Sequence, residues 1–236
     1  MMKLFILGGL LLLLAACTSG AGGGSGAKNP GVVMTASRPL KVICLGDSIT
    51  GNSDLRHYLK FSHILDLMLE ARRGSGSTVV LNRGIGGNTT ADVLKRLDKD
   101  VLQEKPDIVV LLLSGNDAGN KSQDRGVTRA NLEKIVGQIK AGGGRVLMLQ
   151  YHLVPNPEHP ETAWRHLITN NDLIAQVAAG QQAPVLDMGP PFAAAAKTAR
   201  IGELASAVDG VHLNPGGELI YARQIFHKLD ELGWIK

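Results

Sequence analysis

A serine stands two residues beyond a short strand-like run, near the start of the predicted folded domain, in the sequence Gly46-Asp47-Ser48-Ile49-Thr50, where the run ends at Leu45 and Gly46-Asp47 intervene. A serine at a strand-to-helix turn exposes its hydroxyl, and the backbone N–H groups at the helix start face any negative charge that develops there. Ser48 is therefore a candidate nucleophile. The same letters also fit an ordinary Gly-Asp-Ser turn, so this segment alone does not decide between the two.

An aspartate and a histidine stand three positions apart near the end of the chain, in Asp209-Gly210-Val211-His212. Side chains at this spacing face the same side of a helix or turn. Asp209 can then accept the Nδ1–H of His212 and fix its tautomer, which leaves Nε2 available to take a proton. A single histidine before a helix is more often structural, and the paired aspartate is what favours a catalytic base.

Two further segments offer hydrogen-bond donors for an oxyanion. The stretch Gly84-Ile85-Gly86-Gly87-Asn88 is rich in glycine, which lets the backbone approach a substrate oxygen closely. Asn116, in Ser114-Gly115-Asn116-Asp117, carries an amide donor, although an Asx turn would also explain it. Thr89 stands where a dinucleotide motif counted from Gly84 needs its third glycine, so we do not expect nucleotide binding.

The segments that must position these residues alternate between short apolar runs and amphipathic stretches, which indicates β-α-β units. The predicted strands are Lys41–Leu45, Thr78–Leu81, Asp107–Leu113, Arg145–Gln150 and Pro184–Asp187, and the predicted helices are 57–72, 89–103, 128–141, 161–179 and 215–232. We predict a three-layer α/β/α sandwich with about five parallel strands. Ligands of such sheets bind beyond the carboxyl ends of the strands, which is where the candidate residues lie.

Local chemistry marks several helix ends. Thr89 is predicted to cap the second helix, the glycines that begin at Gly142 to end the third, and Pro215 to stand in the first turn of the last. His152, Tyr151 and Trp164 lie in or beside the segment after the fourth predicted strand, and we interpret them as candidates to line the pocket for the acyl or alcohol group of a substrate.

The chain begins with Lys3 and an apolar run that ends at Ala16, followed by Cys17 and Thr18. The run is shorter than the roughly 20 apolar residues that span a bilayer, and it has the charged start and small-residue end of a signal peptide. We predict a signal peptide at residues 1–16. The ending Leu14-Ala15-Ala16-Cys17 resembles a bacterial lipobox, which implies lipidation of Cys17; an ordinary signal peptide with an incidental cysteine is the alternative.

Residues 17–38 are rich in glycine and serine, a composition typical of a flexible tether, and residues 39–236 are predicted to form the folded domain. Cys44 stands within an apolar run and is interpreted as a small core residue. The net charge of +4 is spread along the chain without a run of five or more like charges, so we expect no nucleic-acid partner. No metal-binding motif is present in the sequence, and we expect neither a metal nor another cofactor.

Taken in order, the segments around Ser48, Gly87, Asn116 and His212 resemble the SGNH hydrolases, also called the GDSL esterase/lipase superfamily. The resemblance runs from Leu40 to the end of the chain. It implies the flavodoxin-like SGNH hydrolase fold, a Ser48–His212–Asp209 triad, and an oxyanion hole formed by Ser48, Gly87 and Asn116, with Gly86 as the reserve for Gly87.

The sequence departs from the family pattern at two places. The second motif usually has aspartate after its glycine, where this chain has Asn88. The third is commonly G-x-N-D, where this chain has Ser114-Gly115-Asn116-Asp117. Neither change touches a residue that must transfer a proton or donate to the oxyanion.

The resemblance implies an ester hydrolase that works through an acyl-enzyme. With a lipid anchor at Cys17, we expect a protein of the bacterial cell envelope, and Thr18 favours the outer membrane. The expected substrate is a short acyl ester, such as acetyl, on a carbohydrate. There are three alternatives. The protein could transfer the acyl group to a glycan, it could hydrolyse a lysophospholipid or a thioester, or it could be a non-catalytic binding module of the envelope.

Overall fold

The computed structural model describes residues 38–51, 56–119, 123–152, 168–206 and 210–236. The strands are β1 Leu40–Gly46, β2 Thr78–Gly84, β3 Ile108–Leu112, β4 Arg145–Gln150 and β5 Val185–Asp187. The helices are α1 Ser48–Gly51, α2 Phe61–Arg73, α3 Thr90–Leu97, α4 Gly115–Ala118, α5 Arg125–Ala141, α6 Asn171–Gly180, α7 Gly189–Ala195, α8 Ile201–Leu204 and α9 Pro215–Glu231.

The five strands form one sheet in the order β2-β1-β3-β4-β5, and every neighbouring pair is parallel. This is the strand order of flavodoxin-like folds. β3 is buried along its whole length, as expected of a central strand that helices cover on both faces. All five predicted strands are found, and the predicted three-layer α/β/α architecture is confirmed.

Helices cover the two faces of the sheet in separate groups. α2 packs against α9, whereas α5 packs against both α3 and α6. Because β-α-β connections in a parallel sheet are right-handed, the reversal of strand order at β1 sends α2 to one face and α3, α5 and α6 to the other. Cys44 lies fully buried in the core between these layers, as the sequence predicts.

The predicted helix-end chemistry is confirmed. Thr89 caps α3 in a reciprocal capping box with Asp92, α5 ends at Ala141 before Gly142, and Pro215 begins α9. The predicted second helix, 89–103, divides into α3 and a π-helical turn at Asp98–Leu102. The part of the predicted helix 161–179 that precedes residue 168 lies outside the described residues.

Two helix starts differ from the prediction because side chains cap them. α5 begins at Arg125 rather than 128, since the Asp124 carboxylate accepts the N–H groups of Gly126 and Val127. The helix predicted from residue 57 is a 3-10 turn at His57–Leu59, and α2 starts only at Phe61. There the Glu218 carboxylate, from α9, accepts the Phe61 N–H at 2.7 Å.

Several predictions fall on residues that the structure does not describe. They are the signal peptide, lipidation at Cys17, the tether up to Ser37, the pocket role of Trp164 and the position of Asp209, and all of them stay predictions. Within the described ranges, no helix is both long and apolar enough to pass through a membrane.

Candidate active site

The turns that follow β1, β2 and β3 meet at one edge of the sheet because these strands are parallel neighbours. Gly46, the last residue of β1, is in register with Gly84 of β2 and with Leu112 of β3. Ser48 comes two residues later as the first residue of α1, and it is half-buried. The serine therefore lies between the glycine-rich segment and the segment that contains Asn116.

Two glycines allow this close approach of turns. A Cβ on Gly46 would lie 2.4 Å from the carbonyl oxygen of Leu112, and a Cβ on Gly84 would lie 2.2 Å from the backbone nitrogen of Gly51. Neither distance is compatible with a side chain at these positions. The turn that carries Ser48 is thus fitted against backbone on both sides.

The glycine-rich segment reaches the serine at Gly86, where an added Cβ would lie 3.7 Å from Cβ of Ser48. Gly87 is exposed and has a φ of 73°, a conformation that favours glycine. Gly86, the reserve choice for the oxyanion donor, therefore lies beside Ser48, and Gly87, the first choice, is the next residue along the chain.

Asn88 fills the place where the family usually has aspartate. Its Oδ1 accepts a hydrogen bond of 2.8 Å from Nε of Arg96, and the same guanidinium donates to the carbonyl oxygens of Arg83 and Gly46. An asparagine oxygen accepts this bond as a carboxylate would, so the structure accommodates the departure.

Asn116 lies in α4 and is 8% exposed. Its Nδ2 donates to the carbonyl oxygen of Asn88 at 3.1 Å, which ties the second and third segments together. An amide nitrogen carries two N–H groups, so this bond uses one and leaves the amide a second donor. The side chain is thus anchored beside the glycine-rich segment as an oxyanion donor should be.

Asp117, the buried residue after Asn116, connects α4 to the rest of the domain. Its carboxylate accepts the backbone N–H of Thr90 at 3.0 Å and the Thr90 hydroxyl, and it also accepts from Nε2 of Gln123 at 2.8 Å. Burial raises the pKa of Asp117, and these hydrogen bonds oppose that shift. The network joins α4 to the start of α3.

Asp47 is a buried carboxylate directly before Ser48. Its Oδ1 accepts the Ile49 N–H at 3.0 Å, and its Oδ2 accepts the Tyr151 hydroxyl at 2.5 Å. Burial raises the pKa of Asp47 to about 6, while these bonds and the charge of His212 oppose the rise. The Ser48 turn and the segment that carries His212 contact consecutive residues, since Tyr151 bonds to Asp47 and Nε2 of His152 lies 3.2 Å from the carbonyl oxygen of Val211.

His212 is half-buried in the segment before α9. The N–H of Ser206 donates to its carbonyl oxygen at 2.7 Å, and Leu213 pairs with Ala205 in an antiparallel bridge. The segment that carries His212 is thus hydrogen-bonded to the residues that follow α8. Asp209 lies outside the described residues, so the complete triad stays a prediction.

His152 contacts the segment that carries His212. The ring is 4% exposed and stacks on Phe192 at a centroid distance of 4.2 Å. Nε2 lies 3.2 Å from the carbonyl oxygen of Val211, and Nδ1 lies 2.9 Å from the Tyr221 hydroxyl. A carbonyl only accepts, so Nε2 carries the proton and Nδ1 accepts from the tyrosine.

These contacts occupy both ring nitrogens, and burial lowers the pKa of His152 to about 4, so the ring is neutral near pH 7. The interpretation of His152 and Tyr151 as pocket-lining residues is therefore wrong, since both are buried and hydrogen-bonded within the protein. Sequence reasoning missed their supporting role because nothing local in the sequence marks their partners.

The model of the GDSL-like Lipase/Acylhydrolase family matches residues 44–220, which include Ser48, Asn116 and His212. The chain belongs to this family.

Curated relatives of this GDSL-like protein include esterases. An arylesterase of Vibrio mimicus is 34% identical over 117 residues, which are 49% of this chain and 56% of that protein. An acetylxylan esterase of Geobacillus stearothermophilus is 28% identical over 169 residues, 66% of this chain and 74% of that protein. An uncharacterized lipoprotein of Bacillus subtilis, YqeF, is 39% identical over 79 residues, 33% of this chain and 32% of that protein. The chain thus spans about half or less of the length of two of these relatives.

Solved structures agree on the fold. The acetylxylan esterase Axe2 from Geobacillus stearothermophilus has a TM-score of 0.67 at 24% identity, covering 83% of this chain and 96% of that one. The predicted membership of the SGNH/GDSL superfamily is confirmed by the match to the GDSL-like Lipase/Acylhydrolase family. The roles of individual site residues stay predictions.

Proposed function

We propose that the protein is a serine esterase that removes short acyl groups, acetyl first among them, from a carbohydrate. The observation that carries the proposal is that two consecutive residues contact the two turns concerned. The Tyr151 hydroxyl donates to Asp47, which precedes Ser48, and Nε2 of His152 lies 3.2 Å from the carbonyl oxygen of Val211, which precedes His212. This arrangement supports the pairing of a nucleophile with a base from a distant part of the sequence, as acyl transfer requires.

The proposed reaction has two halves. Oγ of Ser48 attacks the ester carbonyl carbon while Nε2 of His212 takes the hydroxyl proton, and the same proton then passes to the departing alcohol. Water attacks the acyl-enzyme with His212 again as the base, which releases the acid and restores Ser48. Asp209 would accept the Nδ1–H of His212 and stabilise the imidazolium.

The negative charge on the carbonyl oxygen needs donors that are already in place. We assign this role to the backbone N–H groups of Ser48 and Gly87 and to the side-chain amide of Asn116. The bond from Asn116 to Asn88 supports this assignment because it fixes the amide before substrate binds. A preoriented donor needs no reorganisation when the charge develops.

Three observations support a short acyl group on a carbohydrate as the substrate. Ile85, beside the glycine-rich segment, exposes 46% of its surface and offers an apolar contact for a small acyl group. Aromatic residues make up only 4% of the chain, which fits a small acyl site better than one for a long chain. The relative named as an acetylxylan esterase makes acetylated polysaccharides the first substrates to test.

The nucleophile is tested with purified protein and p-nitrophenyl acetate. Ser48→Ala should lower kcat by at least about 10⁴-fold, because the remaining donors and binding groups supply only a residual rate. Ser75→Ala, in the exposed turn before β2, is the matched control and should keep wild-type turnover. Full turnover by Ser48→Ala would contradict the proposal.

The acyl group and its acceptor need separate measurements. A series of p-nitrophenyl esters should show the highest kcat/KM at two to four carbons, followed by acetate release from acetylated xylan. A maximum at eight carbons or more would contradict the short-chain assignment and favour a lysophospholipid substrate. Acetylated glycan as the main product, in the presence of a glycan acceptor, would identify a transferase instead.

We also propose that the protein is held at the bacterial cell envelope by a lipid on Cys17. The lipobox-like sequence supports this anchor, as does the relative that bears the name of a lipoprotein. Cells fed a labelled fatty acid should incorporate the label into the wild-type protein but not into Cys17→Ser. Equal labelling of the two proteins would contradict the anchor.

A further inference from the structure

The hydroxyl of Tyr151 joins the two turns that carry the proposed nucleophile and the proposed oxyanion donor. Tyr151 follows the last residue of β4 and is 1% exposed. Its hydroxyl donates to Oδ2 of Asp47 at 2.5 Å and accepts the backbone N–H of Gly115 at 3.0 Å. Asp47 precedes Ser48 in the chain, and Gly115 precedes Asn116.

On the nucleophile side, the connection continues through the Asp47 carboxylate. Its other oxygen, Oδ1, accepts the N–H of Ile49 at 3.0 Å, so one carboxylate bridges the residues on either side of Ser48. A displacement of the tyrosine hydroxyl would therefore move the carboxylate, and with it the backbone that orients the serine.

The backbone of Tyr151 is held by the side chain of Asn171, the first residue of α6. Oδ1 of Asn171 accepts the Tyr151 N–H at 2.8 Å, and Nδ2 of Asn171 donates to the Tyr151 carbonyl oxygen at 2.9 Å. Burial and the neighbouring Asp47 raise the pKa of Tyr151 well above its usual value, so the hydroxyl keeps the proton that it donates. The bridge is thus fixed at all three of its ends.

We propose that Tyr151 is a positioning residue that sets the distance between the nucleophile at Ser48 and the oxyanion donor at Asn116. The inference rests on the proposed function. Tyr151 itself makes no proposed contact with substrate. It acts through Asp47 and Gly115 alone.

The hydroxyl is removed with the least change of shape by Tyr151→Phe, which leaves Oδ2 of Asp47 and the N–H of Gly115 without this partner. Misplacement of reacting groups by a fraction of an ångström costs rate, and we expect kcat for p-nitrophenyl acetate to fall roughly 10- to 100-fold. KM should stay within about threefold, because uniform binding is not altered. Tyr58→Phe, at a tyrosine that is 55% exposed, is the matched control and should keep wild-type kcat.

A double-mutant cycle separates positioning from a general structural effect. When Asn116→Ala has already removed the oxyanion donor, Tyr151→Phe should cost less than half as much on a logarithmic scale as it costs in the wild type. Equal costs in the two backgrounds would overturn the proposal, as would an unchanged kcat or an effect confined to KM. Urea unfolding of each variant verifies that the assayed protein is folded.

If Tyr151→Phe does not fold, Asn171→Ala tests the same connection, since it loosens Tyr151 and keeps the hydroxyl. It should lower kcat at constant KM and show the same weaker effect beside Asn116→Ala; additive costs would overturn the proposal. The two proposals fail separately. Full turnover by Ser48→Ala contradicts the esterase function, whereas loss of turnover in Ser48→Ala together with wild-type kcat in Tyr151→Phe contradicts only the role of Tyr151.

Discussion

Replacement of Ser114 by glycine should make the protein more stable. Ser114 connects β3 to α4 with a φ of 105° and a ψ of −4°, in the region that favours glycine. Its side chain is fully buried, and Oγ has no hydrogen-bond partner among the residues that the structure describes. Both features cost free energy in the folded state, and both disappear in Ser114→Gly.

The terms can be compared in magnitude. Relief of the left-handed conformation is worth about 1–2 kcal/mol, and removal of an unpaired buried hydroxyl about 1–3 kcal/mol. Against this, the freedom of glycine in the unfolded chain costs about 0.5–1 kcal/mol, and the lost packing of one methylene group about 0.8 kcal/mol. The free energy of unfolding of Ser114→Gly should therefore rise by about 1–3 kcal/mol.

The measurement is urea unfolding of wild type, Ser114→Gly and Ser114→Ala, with Tm as a second readout. Alanine removes the hydroxyl but keeps the backbone cost, so Ser114→Ala should gain only the hydroxyl contribution of about 1–3 kcal/mol. The difference between the two variants is the backbone relief less the cost of glycine freedom and of the lost methylene group, and it should lie within about 1 kcal/mol of zero. The carbonyl oxygen of Ser114 keeps its bond from Nδ2 of Asn170 in all three proteins. A glycine variant less stable than the alanine variant by well over about 1 kcal/mol would refute the backbone argument, and destabilisation by both would refute the whole reasoning.

Three further predictions concern the same edge of the sheet. The pKa of His152 is about 4 in the folded protein and 6.5 in a free side chain, so its contribution to stability is present above pH 6.5 and is lost as pH falls through about 4. Between pH 7.5 and 5, wild type should therefore lose about 2 kcal/mol of unfolding free energy that His152→Gln does not lose, and parallel urea-unfolding results at the two pH values would contradict this. Gly84→Ala should lower the unfolding free energy by about 1–3 kcal/mol, because its Cβ would meet backbone at 2.2 Å, whereas Gly137→Ala, with open space around it, should raise Tm. Asn116→Ala should lower kcat for p-nitrophenyl acetate about 10²–10³-fold with little change in KM, and a kcat within threefold of wild type would exclude the amide from the oxyanion hole.

Much of this protein is determined by its sequence read locally. Apolar runs of strand length, alternating with amphipathic stretches, specify the parallel sheet. Thr89, as a helix cap, and Pro215, as a first helical residue, act within one turn of chain. Ser48 and Asn116 could be selected because each stands just beyond the end of an apolar run, separated from it by two residues, and in a parallel sheet that position is the ligand edge.

The tertiary structure decided what depends on contacts between distant residues. The Tyr151 hydroxyl meets Asp47 across 104 positions of sequence, and the Glu218 carboxylate meets the start of α2 across 157. The strained φ of Ser114 is likewise set by the packing around its turn rather than by its own preference. A hydrogen bond between such partners leaves no periodicity or spacing in the chain, because it exists only after the sheet has brought the ends of its strands together.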